Sequence, residues 1–324
     1  MKTAIVLYGF MRTFKITANS LLKNIAVPND ADIFIFSYTN EGVSILNKNE
    51  DINTQKLQNG TMQDLDGSFI NEKILKEIYG ERLKKCLLKV YSEHMEKFKL
   101  DSKNIYSPIL PIERVFSLYF NITGATKLLI DYEIETGIKY DVIILARPDL
   151  NFYSQIKIED YNLDKINIAN YGGNINPIGK NEAYHCCFYK NVKRAEYIPF
   201  REIIFSDQLI ISKRKNMIKL VKLYEKLNEY DTYGLPVCHP ETILYYHLCM
   251  SEGLNVQTND IKYEILRNNY IEKTNEIMNL QTNRTIKTNK YKNKLKNDLL
   301  NIKQGFKSLG NLPFNFIKYI FKKG

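Results

Sequence analysis

Apolar positions in the first half of the chain fall into short continuous runs separated by stretches of helical spacing. The run Thr3 to Leu7 is followed by Tyr8-Gly9-Phe10-Met11-Arg12-Thr13-Phe14, then by Leu21, Leu22 and Ile25 at helical intervals. That order predicts a strand, a glycine-containing loop and a helix. Asp32-Ile33-Phe34-Ile35-Phe36-Ser37 suits a second, buried parallel strand. A helix over residues 70–85 and a third strand over Leu87 to Val90 follow. Between Glu113 and Glu135, the positions Val115, Leu118, Tyr119, Ile122, Ala125, Leu128 and Leu129 trace one face of a long amphipathic helix, which Gly137 stops. Tyr140 to Ala146 is apolar on both faces, which predicts the centre of a parallel sheet. It runs directly into Arg147-Pro148-Asp149-Leu150.

The second half is less regular. Ile166 to Ala169 and Asp207 to Ser212 read as strands, and Met217 to Leu227 and Glu241 to Ser251 as helices. Val256-Gln257-Thr258 and Ile261 to Leu266 close the body near residue 267. Strands alternating with helices predict an α/β fold: a Rossmann-like domain over 1–267 with a mainly parallel central sheet, followed by a tail over 268–324. The polar stretch Asn40 to Asp66 and the Gly/Asn-rich stretch Asn170 to Ala183 read as loops, the first long enough to act as a lid.

Composition narrows the class only slightly. Hydrophobic residues at 44% and charged residues at 25% of 324 are those of a globular chain with a sizeable core. No apolar run is long enough for a spanning helix, and Met1 to Gly9 reads as a first strand rather than a secretory signal. Cys86, Cys186, Cys187, Cys238 and Cys249 form no disulfide framework, which favours a reducing, cytoplasmic setting. His185 beside Cys186-Cys187, and Cys238 beside His239, match no zinc spacing.

The net charge of +10 says more once it is located. Residues 282–324 hold eleven of the 46 basic residues and one of the 36 acidic ones, which leaves 35 of each sign elsewhere. The body is neutral and the tail carries the excess.

In open α/β sheets ligands bind beyond the carboxyl ends of the strands, and several polar clusters fall at such positions. Gly9 permits close backbone approach, and Arg12 can fork onto a diphosphate near a helix N-terminus, although a plain turn with a surface arginine explains the same residues. At the end of the central strand, Asp149 can hold a divalent metal or a sugar hydroxyl. Arg147 can pair with phosphate or with Asp149 itself. Asp207, in Ser206-Asp207-Gln208, is a candidate catalytic base or acceptor-orienting group, with capping as the competing explanation. His239 and Glu241 sit where a helix begins, which helix physics alone accounts for, or else they line the site. Tyr171, in Tyr171-Gly172-Gly173-Asn174, suggests an acceptor-side loop. No Ser–His–Asp or Cys–His arrangement stands out.

Taken in order, several of these segments resemble bacterial surface-polysaccharide glycosyltransferases of capsule and lipopolysaccharide synthesis with GT-A-like folds. They are Tyr8 to Phe14, Asp32 to Ile35, Tyr140 to Leu150, Ser206-Asp207-Gln208, Pro240 to Leu244 and Ile265-Leu266-Arg267. The resemblance implies a nucleotide-sugar donor held near Tyr8, Gly9, Arg12, Arg147 and Asp149. It implies a saccharide acceptor, carried on a lipid. Tyr171, His185 and His239 are the candidates for the acceptor side, and Asp207 and Glu241 the candidate catalytic residues. Such enzymes usually present Asp-x-Asp, sharing Mn²⁺ or Mg²⁺, where this chain has Arg147-Pro148-Asp149. Asp149 is then the candidate metal ligand, and an arginine can take over part of the metal's role with the departing diphosphate. A transferase adding a phosphoryl-type decoration to a capsular sugar, and a non-catalytic scaffold of polysaccharide assembly, are the competing functions. The basic, aromatic-rich tail suits an anionic membrane surface, with a helix packed on the body and a solvated basic face as the competing explanation. That predicts a peripheral protein on the inner face of the cytoplasmic membrane. Nucleic acid is disfavoured because the body carries no matching excess charge.

Overall fold

A computed structural model describes residues 1–40, 42, 69–91, 93, 112–169, 187–191, 196–199, 205–237 and 239–266. Tyr171, His185, Arg267, the Asn170–Ala183 loop, nearly all of the Asn40–Asp66 loop and the 268–324 tail lie outside them.

The chain begins β1 (Thr3–Tyr8), α1 (Phe14–Leu21), β2 (Asp32–Tyr38), α2 (Glu72–Tyr79), β3 (Leu83–Lys89), α3 (Ile112–Thr136), β4 (Val142–Ala146). It continues with β5 (Leu150–Phe152), β6 (Ile166–Ala169), β7 (Cys187–Asn191), β8 (Glu196–Pro199) and β9 (Leu209–Lys213). The last elements are α4 (Arg214–Met217), α5 (Leu227–Thr232), α6 (Pro240–Tyr245), β10 (Val256–Asn259) and β11 (Tyr263–Ile265). Seven strands form one sheet in the order β10-β6-β9-β4-β1-β2-β3. Its neighbours pair in parallel except at β9, which is antiparallel to both β4 and β6.

The central strands are apolar on both faces because both faces are covered. Ala4, Val6, Phe34, Phe36, Ile143 and Leu145 join a core with α3 and the 217–248 segment. The alternating residues Ile5, Leu7, Ile33, Ile35, Val142 and Ile144 join a second core with α1, α2, β5 and β11. Burying one such Ile or Leu stabilises the fold by about 2 kcal/mol. The result is an α/β protein with a mostly parallel, Rossmann-like sheet between two layers.

Three expected elements are redrawn. The helix expected over 70–85 ends at Tyr79 in α2, because Gly80 turns the backbone to φ +58°, and β3 then starts at Leu83 rather than Leu87. The helix expected over Met217 to Leu227 is not continuous: α4 passes into a 3₁₀ segment (Ile218–Lys222) before α5. The short strand β5, which was not expected, follows Asp149 directly and pairs with β11.

Candidate functional site

The site is built where β1 and β4 end side by side. Their register aligns Leu7 with Ala146, so Tyr8-Gly9 and Arg147-Pro148 leave the sheet at the same edge. The reversal of β9 adds a third segment there. It pairs Ala146 with Leu209, and the Arg147 amide donates to the Gln208 carbonyl at 3.0 Å. The start of an antiparallel strand therefore meets the ends of the parallel ones, and Asp207 reaches the edge that carries Arg147.

The loop after β1 is tightly shaped. Gly9 adopts φ +87°, where a side chain would be strained, and donates its amide to the Phe36 carbonyl at 3.2 Å. Arg12 also lies in the left-handed region, at φ +45°. A non-glycine residue held there costs on the order of 1–3 kcal/mol, which the surrounding contacts must offset. The Arg147–Asp149 turn is fixed from behind. Thr17 donates to the Pro148 carbonyl at 2.6 Å, the Leu266 amide donates to the Asp149 carbonyl at 2.9 Å, and Thr13 donates to the Leu266 carbonyl at 3.0 Å.

Asp149 is the centre of the cluster. Arg147 binds it through Nε to Oδ1 at 3.0 Å and Nη2 to Oδ2 at 2.7 Å, and Arg12 Nη1 reaches Oδ2 at 2.9 Å. The Asp149 side chain is 1% exposed, whereas Arg12 and Arg147 keep 17% and 15% of theirs. The carboxylate is a buried post and the guanidinium groups are what a ligand meets. Burial pulls the Arg147 pKa down, but the charge and hydrogen bonds of Asp149 outweigh it and the net shift is upward. Burial lowers the pKa of Arg12, and Asp149 only partly opposes this. The buried Arg12 Nε–H has no hydrogen-bond acceptor.

Above this cluster lies a cleft of about 90 Å³. Tyr8, Gly9, Phe10, Arg12, Tyr91, Ser117, Leu118, Asn121, Arg147 and Pro148 line it. Asn121 donates to the Ser117 carbonyl at 2.6 Å and to the Tyr38 hydroxyl at 2.9 Å. A carbonyl can only accept, so the amide nitrogen is fixed on that side; the buried Oδ1 has no donor.

Tyr8, buried behind the cleft, donates its hydroxyl to the Asp207 carbonyl. Its own ionisation is pushed up, by burial first and then by the Asp207 charge. Glu241, in the first turn of α6, is pushed up to about 8, mainly by burial and then by Asp207, against a partial pull from Arg147. Asp207 is itself buried. His239 caps α6, accepting the Thr242 amide on Nδ1 at 3.3 Å, and burial lowers its pKa. A neutral imidazole follows, so its 3.7 Å approach to Glu241 is not an ion pair.

Among the expected residues, the cleft brings together Tyr8, Gly9, Arg12 and Arg147, with Asp149 behind them. Asp207 and Glu241 lie within electrostatic reach of Arg147, and His239 adjoins Glu241. Tyr91, Ser117 and Asn121 were missed. The available signal was two polar residues, Ser117 and Asn121, spaced i, i+4 on the otherwise apolar face of α3.

A divalent ion fits Asp149 poorly. Both its oxygens already accept from guanidinium groups. The two guanidinium groups outnumber the one carboxylate, and a net charge of one at about 4 Å repels a dication by about 8 kcal/mol at an effective permittivity of ~20. Two buried atoms of cleft residues lack a partner, the Arg12 Nε–H donor and the Asn121 Oδ1 acceptor, and the one on a side chain bound to Asp149 is the donor.

No family model matches this chain, and no curated protein does.

Proposed function

We propose that the protein is a glycosyltransferase, moving a sugar from a nucleotide-sugar donor to an acceptor in capsule or lipopolysaccharide synthesis. The observation that carries this reading is the convergence, at the carboxyl edge of the sheet, of Arg12 and Arg147 on one side of a cleft with Asp207 and Glu241 nearby. A mainly parallel sheet with one reversed strand is in keeping with the GT-A-like type. Glycosyl transfer needs two kinds of group. A cationic end must accept the charge of a departing diphosphate as its bond to the anomeric carbon breaks, and Arg12 and Arg147 are suited to that. A carboxylate must orient the acceptor hydroxyl or take its proton as the new C–O bond forms, and Asp207 is the candidate. Glu241, still protonated near neutrality, would donate a hydrogen bond rather than compete as a base. Phe10, Tyr91 and Asn121, which also line the cleft, would offer ring contacts and an acceptor to the nucleoside part. The acceptor saccharide, lipid-linked, would approach from the side of His239, with Tyr171 and His185 as further candidates. The basic 282–324 segment would hold the enzyme at an anionic membrane surface. Among the described residues, no helix is long and apolar enough to cross a membrane.

The test is a thermal-shift titration against UDP-, GDP-, CMP- and dTDP-sugars. Saturable stabilisation by one nucleotide family, weakened in Arg12→Ala and lost in Asp149→Ala, is the expected outcome. A folded protein that responds to no nucleotide sugar would remove the donor assignment and leave the phosphoryl-decoration and scaffold readings ahead.

A further inference from the structure

We propose that this site binds the diphosphate of its donor without a divalent cation, Arg12 and Arg147 standing where a metal would otherwise sit. The inference rests on the nucleotide-sugar reading. A metal-bridged diphosphate needs a carboxylate with free oxygens facing the ligand. Asp149 has the opposite arrangement: it is buried, and each of its oxygens accepts from a guanidinium group. The charged side chains that line the cleft are instead donors. Arg12 and Arg147 line it and remain partly exposed. The strained backbone at Arg12 fits the same role, since the φ of +45° is held at the residue whose guanidinium must be aimed. Asp149 thus works as a post that aligns two planar forks, and a diphosphate supplies the anionic oxygens to bridge them.

The experiment is calorimetric titration of the full chain, stripped with EDTA, against UDP, GDP, CDP, dTDP and inorganic pyrophosphate, repeated with Mn²⁺ and with Mg²⁺. The expected result is one nucleoside diphosphate that binds equally well in all three buffers, with pyrophosphate competing. Arg12→Gln and Arg147→Gln should each weaken it by about 10- to 100-fold with or without metal, the range set by losing a charged hydrogen bond. Affinity that rises about tenfold or more on adding Mn²⁺ or Mg²⁺ overturns the inference while the nucleotide reading stands. Binding of no diphosphate in any buffer removes both. The wild-type comparison decides between these outcomes even if a variant fails to fold.

Discussion

At the scale of single residues, the most informative group is Glu241, because its environment holds a proton that a free carboxyl would lose. Its ionisation is pushed up to about 8 by burial and by Asp207. An unfolded chain releases that proton near pH 4.5, so between there and about 8 the folded state binds more protons than the unfolded one. Stability contributed at this position is therefore intact below the lower limit and falls as pH rises through the window. Glu241→Gln is neutral throughout and lacks this loss. Its Tm relative to wild type should climb between pH 5 and pH 8, by an amount on the order of a few degrees. A Tm difference that stays flat over that range would place the Glu241 carboxyl in contact with solvent. Catalysis supplies a second readout. If Glu241 works as a hydrogen-bond donor, the wild-type rate should decline above about pH 8, and the Gln variant should keep substantial activity without that decline.

At the scale of elements, the strands were legible because central parallel strands are continuous apolar runs, and β1, β2, β4 and β6 start and stop within two residues of expectation. What the sequence did not reveal was direction. Leu209 to Lys213 is as apolar as a parallel strand, and nothing local to it specifies that β9 runs backwards. That reversal, rather than any motif, brings Asp207 to the edge occupied by Arg147. The Arg12–Asp149–Arg147 cluster was hidden for a related reason: Arg12 and Asp149 are 137 positions apart, and only the parallel pairing of β1 with β4 joins them. The long helix α3 was read correctly, but the reason for Gly124 in its interior was not. A Cβ at that position would meet the Phe36 ring at 2.5 Å, so the glycine lets α3 lie flat on β2. Gly124→Ala should gain about 1 kcal/mol of helix propensity and lose 1–3 kcal/mol to overpacking. Net destabilisation in urea unfolding is expected, relieved when Phe36→Leu is added. A single variant more stable than wild type would mean that the Phe36 ring moves aside at little cost.

At the scale of the whole molecule, the charge distribution makes a claim that the fold does not. The body is electrically balanced, so long-range attraction to an anionic surface has to come from residues 282–324, with their net charge of +10. Basic residues near an anionic bilayer contribute about 1 kcal/mol each, and the contribution decays within a Debye length of about 8 Å at physiological salt. Two measurements separate this origin of membrane affinity from any apolar face of the body. The full chain should float with vesicles containing anionic lipid, release as salt is raised, and ignore purely zwitterionic vesicles. A chain ending at residue 281 should lose flotation under all conditions yet keep nucleotide binding, because every residue of the proposed donor cleft lies before residue 150. Flotation that survives both truncation and high salt would assign the membrane contact to the body. The tail would then need another anionic partner, and the proposal that a lipid-linked acceptor sets the protein's location would lose its support.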